Sequence, residues 1–356
     1  MALLPAVLLA LALAQAAHGR SNILLVLTDD QDIELNTLLG SPLGPMTKTK
    51  ALLQDGGAFG THAYVNVPIC CPSRANILSG KMAHNIRDDH YEPFPTDSSS
   101  PNGQVGGRSC GDEPVEYFNN KSKQLPCGCM RMNISSYGAF ESTTYANQLT
   151  RAGYTTAYFG KYLNPPAIVK YCRNETLGKL TGGWPSGWDV FYGMCDQASS
   201  PEGAYYDVNW VDSVAGMVTH TGVAPEDYST SVIGNKTVQW IQSKGKAAQP
   251  FMAVAATRAP HAPYLPPPWY ADKFASIGSP RGLGSYNHSC EGKPPWMAHN
   301  SPLTEEDAVH FDEVMRRRWG ALLAVDDMVE GIVGALDSIG VLDNTFIFYW
   351  SECVCL

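Results

Sequence analysis

Apolar positions along this chain alternate between short continuous runs and longer stretches with helical spacing. The run 21–28 (SNILLVLT) is continuous and rich in aliphatic residues, and it leads directly into Asp29 and Asp30. This pattern predicts a buried parallel strand that delivers functional groups from its carboxyl end. An acidic pair after a strand is also typical of a solvated turn or a helix cap, so the pair alone leaves both interpretations open.

The same alternation continues to the end of the sequence. Helices are predicted over 142–152, 228–244 and 308–339, and strands over 155–159, 251–257 and 341–350. This βαβ pattern predicts an α/β fold with a mostly parallel sheet and helices on both faces. The segment 98–131, rich in Gly, Ser and Cys, is predicted to be a surface excursion held by disulfides.

Residues 1–19 differ in kind from the rest. Positions 3–17 are almost wholly apolar and carry no acidic residue, and small residues recur at positions 14, 16, 17 and 19. The run is short for a membrane span and no later stretch approaches it in length, so it predicts a cleaved signal peptide. The chain is accordingly not expected to be an integral membrane protein; a buried helix or an anchor is the alternative.

Further features agree with export. Five sequons could carry N-glycans, at Asn120, Asn133, Asn174, Asn235 and Asn287. Eight of the ten cysteines lie outside the Cys70-Cys71 pair, and in an oxidising compartment several are expected to form disulfides of unreadable connectivity. We expect the secretory pathway, with a lysosomal or an extracellular destination.

Composition narrows the class of protein. A chain of 356 residues that is 44% hydrophobic and 17% charged can bury the core of one large α/β domain, with or without a smaller partner. The net charge of −9 argues against a nucleic-acid partner, because binding phosphates requires an excess of Lys and Arg.

The densest chemical motif is residues 70–81, CCPSRANILSGK, which resembles the sulfatase signature C-x-P-S-R followed by a helix ending in Ser/Thr-Gly-Arg/Lys. The segments LTDDQD, FGKYLN, APHAPY and RRRWGALLAVDDMV extend the resemblance, most closely to N-acetylglucosamine-6-sulfatases and eukaryotic arylsulfatases. It implies an alkaline-phosphatase-like fold and hydrolysis of sulfate esters, either 6-sulfated N-acetylglucosamine in glycans or aryl sulfates. A structural Cys-Cys pair before a helix is the alternative.

The resemblance implies that Cys70, and not Cys71, is the precursor of the nucleophile. In sulfatases a formylglycine-generating enzyme oxidises this cysteine to Cα-formylglycine during secretion. The hydrated aldehyde has two hydroxyls on one carbon, and one of them attacks sulfur and expels the alcohol. The other hydroxyl then loses its proton, the carbon–oxygen bond to the sulfate breaks, sulfate leaves and the aldehyde is restored. A serine could accept the sulfuryl group but could not release it by this route.

The other motif positions imply supporting roles. Asp29 and Asp30 resemble the carboxylates that, with residue 70, hold a divalent cation, Ca²⁺ or alternatively Mg²⁺. Arg74 resembles the guanidinium that stabilises the hydrated aldehyde. Lys161 and His261 resemble the catalytic groups that bind the sulfate or contact its leaving oxygen.

Two positions near the motif are weaker substrate-binding candidates, Lys81 and His84. Leu163 stands where arylsulfatases have the histidine of Lys-x-His, which favours the glucosamine-6-sulfatase branch and leaves the leaving-group acid open. The acidic pair Asp326-Asp327 is expected to face solvent or to join a salt bridge, and is not assigned to metal.

The end of the sequence departs from the family pattern. Relatives continue with Ser-Asp-Asn-Gly, whose Asp and Asn complete the metal site, where this chain reads Ser351-Glu352-Cys353. Glu352 could replace the aspartate, but Cys353 is a poor ligand for Ca²⁺. We therefore expect a signal peptide at 1–19, an incomplete catalytic domain at 20–351, a divergent tail at 352–356 and no smaller C-terminal subdomain. The alternatives are a truncated, catalytically silent secreted product with little activity, and a phosphatase on the same scaffold, which would instead use a Ser or Thr nucleophile.

Overall fold

The architecture comes from a computed structural model, in which a seven-stranded sheet carries helices on both faces. The structure describes residues 20–32, 44–60, 62–82, 85–86, 137–164, 168–172, 183–195, 205–220, 222–245, 249–279, 281, 286–287, 292 and 302–352. The predicted signal peptide, the predicted excursion at 98–131 and residues 353–356 lie outside this part of the chain.

The sheet is mostly parallel, as the sequence predicts. Its strands are β1 (Asn22–Thr28), β2 (Thr155–Gly160), β3 (Val190–Met194), β4 (Asn209–Asp212), β5 (Gly216–Thr219), β6 (Phe251–Ala256) and β7 (Thr345–Ser351). They lie in the order β5-β4-β3-β2-β6-β1-β7. The β3–β4 and β4–β5 pairings are antiparallel, and the other four pairings are parallel. The sequence did not predict β3, β4 and β5, which are short and lack a long apolar run.

The helices connect the parallel strands. They are α1 (Thr47–Thr49, continued by a π-helix at Lys50–Gln54), α2 (Cys70–Ser79), α3 (Tyr137–Ser142), α4 (Tyr145–Arg151), α5 (Val169–Cys172), α6 (Ser229–Lys244) and α7 (Glu305–Ser338). Short 3₁₀ turns lie at Pro225–Asp227, Pro268–Tyr270 and Leu342–Asn344. A capping box between Thr304 and Asp307 begins α7. Within the part of the chain that is described, no helix is both long and apolar enough to cross a membrane.

Two apolar cores sandwich the sheet. One contains the buried faces of α6 and α7, including Trp240 and Leu322. The other contains residues of α2 and α4, including Leu78 and Ala146. Helices on both faces force the strands between them to be apolar on both sides, and every residue of β6 is buried.

The central strands end together. β1 pairs in parallel with β6 and β7, and β6 pairs in parallel with β2, with Leu27 and Gly160 both opposite Ala256. Gly160 has φ 111°, and a Cβ there would lie 1.9 Å from the Ala256 carbonyl oxygen. Only glycine fits this close approach, so the residue after β2 is delivered against the end of β6. Side chains that follow these strands therefore gather at one edge of the sheet.

Strand β7 forms the other edge of the described sheet, where it pairs with β1. Its residues alternate, and the outward ones are Phe346, Phe348 and Trp350, which are 62%, 50% and 47% exposed. An edge strand with such an apolar face is prone to intermolecular association.

Candidate active site

Acidic residues from the two ends of the chain meet beyond β1. Asp29 is fully buried, and its amide donates to the carbonyl of Ala259 at 3.2 Å. The amide of Glu352, just after β7, donates to the carbonyl of Thr28 at 3.3 Å. These backbone bonds hold the residues that follow β1 and β7 at the ends of the central strands and place both carboxyl groups there.

Cys70 begins α2 and points at this edge. Its thiol donates to Oδ1 of Asp29 at 3.4 Å, and the residue is 8% exposed. The structure describes four cysteines: Cys172 and Cys195 form a disulfide, Cys71 is also disulfide-bonded, and Cys70 keeps its thiol. Some disulfide formation was expected, but the sequence did not single out Cys71. Its oxidation leaves Cys70 as the reactive sulfur of the pair.

A four-residue cluster surrounds the Cys70 thiol. Asp29, Asp30, Cys70 and His261 each offer one ligand atom, and these atoms lie within 4.8 Å of one another. Nε2 of His261 is 3.5 Å from Oδ2 of Asp30, whereas Nδ1 is 2.8 Å from the carbonyl oxygen of Ala262. Since a carbonyl oxygen only accepts, Nδ1 carries the proton in this contact. Nε2 therefore faces the cluster.

Two buried cations lie beside Asp29. Lys161, which follows β2 and is fully buried, forms an ion pair with Oδ2 of Asp29. Arg74, one turn along α2 from Cys70, has Nη2 at 4.0 Å from Oδ1 of Asp29 and also donates to the carbonyl oxygen of Lys161. Burial alone would raise the pKa of Asp29, but Lys161, His261 and Arg74 hold that pKa well below its usual range.

Glu352 is the partner of Arg74. Nε and Nη2 of the guanidinium both lie 2.8 Å from Oε1 of Glu352, and both side chains are almost completely buried. Oε2 of Glu352 is buried and accepts no N–H or O–H group among the described residues, but the carboxyl groups of Glu352 and Asp29 lie within hydrogen-bonding reach of each other. Burial raises the pKa of Glu352 well above its usual range against the opposing attraction of Arg74, and the nearby Asp29 carboxylate raises it further. A carboxyl group in this position can accept a cation.

Arg318 is a site residue that the sequence did not reveal. It lies on α7, is 4% exposed, and donates from Nη2 both to the backbone carbonyl of Asp30 and to Oδ2 of Asp32, the latter at 2.7 Å. Asp30 has φ 60°, a left-handed conformation that is uncommon for a residue other than glycine. Arg318 thus fixes the loop that aims Asp30 at the cluster. Arg318 lies in the segment RRRWGALLAVDDMV, but that resemblance does not indicate this contact, which joins positions 288 residues apart.

Some predicted residues are not brought to the cluster. Lys81 is exposed beyond the far end of α2, about 16 Å along the helix direction from Cys70. Its role in binding substrate stays a prediction that the cluster does not support. His84 lies outside the described residues.

The acidic pair on α7 differs partly from expectation. Asp326 is buried, and its carboxylate accepts the backbone N–H groups of Lys48 at 3.0 Å and Thr49 at 2.7 Å. It therefore anchors α1 and does not face solvent. Asp327 forms an ion pair with Lys48 at 2.8 Å and accepts the Tyr270 hydroxyl at 2.6 Å.

Two sequons can be placed. Asn235 is exposed on α6, and Asn287 is exposed with its side chain bonded to the backbone of Leu303. The sequons at Asn120, Asn133 and Asn174 lie outside the described residues.

The donor set fits a hard divalent cation if residue 70 presents an oxygen atom in place of sulfur. Carboxylate oxygens of Asp29, Asp30 and the neighbouring Glu352 are ligands that Ca²⁺ and Mg²⁺ accept. The Cys70 sulfur is a soft ligand that these ions avoid. The set therefore suits Ca²⁺ only when residue 70 presents oxygen, as formylglycine would.

Comparisons with known proteins agree on one family. The sulfatase family model matches residues 21–352. Human N-acetylglucosamine-6-sulfatase is 31% identical over 95% of this chain, and the Drosophila melanogaster extracellular sulfatase SULF-1 homolog is 29% identical over 95%. The chain spans 52% and 25% of those relatives, so about half the length of the human one.

Solved structures share the fold. One was determined with its substrate D-glucosamine-2-N,6-O-disulfate; it has TM-score 0.59 and 19% identity over 94% of this chain and 65% of its own. The phosphonate monoester hydrolase of Agrobacterium radiobacter has TM-score 0.54 and 17% identity over 94% of this chain and 62% of its own. At these identities the likeness concerns the mostly parallel, alkaline-phosphatase-like α/β fold.

Proposed function

This chain belongs to the sulfatase family, and we propose that its site hydrolyses sulfate esters with a formylglycine made from Cys70. The observation that carries the proposal is the contact of the Cys70 thiol with Asp29, inside a cluster that also holds Asp30 and His261. The nucleophile precursor, two carboxylates and an imidazole are thereby collected at the carboxyl ends of the central strands. The exported chain would meet the formylglycine-generating enzyme in the secretory pathway.

Asp29, Asp30 and Glu352 are the residues that would hold Ca²⁺. The ion would act as a Lewis acid on a sulfate oxygen and would orient the reacting groups. The sequence offers Glu352 for this role only as a replacement for the family aspartate. Its support is the pairing with Arg74 and the position of its carboxyl group next to that of Asp29. Arg74 reduces the electrostatic repulsion between the carboxylates of Glu352 and Asp29, because its guanidinium lies near both.

Lys161 and His261 would act on the sulfate. Lys161 presents a buried ammonium beside Asp29, suited to compensating the negative charge that develops on sulfate oxygens. His261 has its Nδ1 committed to the Ala262 carbonyl, so Nε2 is the atom that could exchange a proton with the leaving oxygen. The Tyr205 hydroxyl, 2.7 Å from the His261 carbonyl, fixes the backbone that carries the ring.

For substrate class we propose 6-sulfated N-acetylglucosamine in glycans, with aryl sulfates as generic substrates. The support is the name of the relatives, N-acetylglucosamine-6-sulfatase from goat and human, at 31% identity each. Leu163 follows Lys161 at the position where a second histidine would otherwise stand. A lysosomal or an extracellular destination is compatible with these relatives, one of which is named as extracellular.

A second candidate is a chain that binds cation and sulfate without turnover. It is favoured by the exposed apolar face of β7, the strand that delivers Glu352. An uncovered edge strand opens more readily than a covered one, and a ligand that follows it is held less firmly.

Turnover of a fluorogenic aryl sulfate by secreted protein separates the two candidates. We expect turnover that requires Ca²⁺, disappears with a chelator and is abolished in Cys70→Ala. The matched control Cys172→Ser/Cys195→Ser removes cysteines away from the site and should retain it. Calcium binding without turnover would favour the second candidate. Turnover that survives Cys70→Ala would refute the proposal, and hydrolysis of phosphate esters alone would favour a phosphatase.

A further inference from the structure

The cluster around Cys70 has a different metal preference before residue 70 is oxidised. One thiol, one imidazole and two carboxylates form a donor set that transition ions of the zinc type prefer. Ca²⁺, in contrast, takes oxygen ligands only. The same pocket therefore offers two different sites, depending on the chemistry of one side chain.

The geometry agrees with tetrahedral binding. Zinc bonds of about 2.0–2.3 Å place neighbouring ligand atoms of a tetrahedron about 3.4–3.6 Å apart. Two edges of the cluster already have this length: Cys70 Sγ to Asp29 Oδ1 is 3.4 Å, and His261 Nε2 to Asp30 Oδ2 is 3.5 Å. No separation among the four ligand atoms exceeds 4.8 Å, so the remaining edges would contract by about 1.4 Å at most.

The histidine is also oriented for a metal. Its Nδ1 donates to the Ala262 carbonyl at 2.8 Å, which leaves the lone pair on Nε2, the nitrogen that faces Asp30. This bond from the distal nitrogen to a carbonyl is the usual support of a metal-binding histidine. Arg318 donates a hydrogen bond to the backbone carbonyl of Asp30 and thereby fixes the loop that carries this ligand.

We propose that the chain with unoxidised Cys70 binds Zn²⁺ through Asp29, Asp30, Cys70 and His261, in a closed site without catalytic activity. Binding exchanges the thiol proton for the metal, and that proton passes to solvent. Four protein ligands complete a tetrahedron, so no position stays open for water or substrate. The positive charges of Lys161 and Arg74 repel a cation in this site. Lys161 is paired with Oδ2 of Asp29, which leaves Oδ1 for the metal, and Arg74 is paired with Glu352.

The proposal concerns the site before oxidation, so it does not depend on formylglycine being made. Zinc would occupy unconverted chains, and calcium would occupy converted ones. Metal identity would then report the state of residue 70.

Cobalt(II) is the spectroscopic probe, used on full-length protein whose Cys70 is shown by peptide mass to be unoxidised. We expect a thiolate-to-cobalt charge-transfer band and tetrahedral visible bands, both removed by stoichiometric Zn²⁺. Cys70→Ser should abolish the charge-transfer band, and chelator competition should show a Zn²⁺ affinity at least about 100-fold lower. His261→Gln should weaken Zn²⁺ similarly, whereas the control His220→Gln, at a half-buried histidine beside Asp227, should not.

The same titrations can also refute the zinc site. Absence of the charge-transfer band, or its persistence in Cys70→Ser, would overturn the proposal. So would equal Zn²⁺ affinity in wild type and His261→Gln. Each variant is compared by circular dichroism without metal, and Asp30→Asn provides a further ligand variant if one of them fails to fold. Calcium binding by the converted enzyme is measured separately, so its failure would bear on the proposed function and not on the zinc site.

Discussion

Replacing Arg74 by Met tests whether the buried charges of the site depend on one another. Arg74 is 1% exposed and contacts Glu352 at 2.8 Å and Asp29 at 4.0 Å. Met keeps much of the aliphatic volume but removes the guanidinium and its hydrogen bond to the Lys161 carbonyl. The variant therefore leaves two neighbouring carboxyl groups in a dry environment with one cation, Lys161, in place of two.

Because these groups are buried, Arg74→Met is expected to lower the free energy of unfolding. Removing one partner of a buried ion pair costs about 3–5 kcal/mol, because an uncompensated charge stays behind. The control is Arg317→Met on α7, where Arg317 and Glu313 are about half exposed and 2.6 Å apart. A surface pair of this kind contributes about 0.3–0.5 kcal/mol. Against a total stability of about 5–15 kcal/mol, only the first change is a large fraction.

Urea unfolding without divalent cations, followed by circular dichroism, measures both variants. The double variant Arg74→Met/Glu352→Leu should recover part of the loss, since it removes the stranded carboxyl group as well. We expect a coupling energy of about 0.5–3 kcal/mol from the double-mutant cycle. If Arg74→Met lowers the free energy of unfolding no more than Arg317→Met does, or if the cycle shows no coupling energy, the contacts of Arg74 with Glu352 and Asp29 do not stabilise the fold as argued above.

Further predictions concern other parts of the molecule. Cys172→Ser/Cys195→Ser should lower the free energy of unfolding by about 3 kcal/mol, because the disulfide closes a loop with a sequence separation of 23; urea titration of the oxidised protein checks this. Phe348→Lys should reduce self-association in light scattering, whereas Val309→Lys, at a 54% exposed position on α7, should not. Arg318→Lys should weaken Ca²⁺ binding by the oxidised enzyme about 10- to 100-fold in calorimetry, since it loosens the Asp30 loop; unchanged affinity would remove that role.

The sequence predicts the parts of the fold that depend on long apolar periodicity. β1, β6 and α7 each form a long uninterrupted run, and their observed bounds lie within a few residues of the expected ones. β4 and β5 have only four residues each, and β5 alternates between half-buried and exposed positions, so no sufficient pattern exists to predict them.

Some residues of the site could be predicted from the sequence and others could not. Asp29, Cys70, Lys161 and His261 follow strands or begin a helix within motifs, and the parallel register brings them to one sheet edge. Lys81 belongs to the same motif but lies at the far end of its helix, because a helix of this length separates its ends by about 15 Å.

The sequence does not predict the role of Arg318, and it offers Glu352 only as a replacement for the family aspartate. Each acts through a contact with a residue more than 270 positions away, Glu352 with Arg74 and Arg318 with Asp30. Such a contact depends on how the completed sheet places the two segments, which local sequence does not encode. The stretch that carries Glu352 also departs from the family pattern, because Cys353 stands where relatives have an asparagine.

The most direct test is the mass of the tryptic peptide 51–74, which contains Cys70 and Cys71, from protein secreted by eukaryotic cells. After reduction and alkylation, we expect Cys71 to be alkylated, because it was in a disulfide, and residue 70 to be an aldehyde that reacts with hydrazide reagents. A peptide alkylated at both cysteines, with no aldehyde fraction, would contradict the claim that Cys70 becomes the sulfatase nucleophile of this chain.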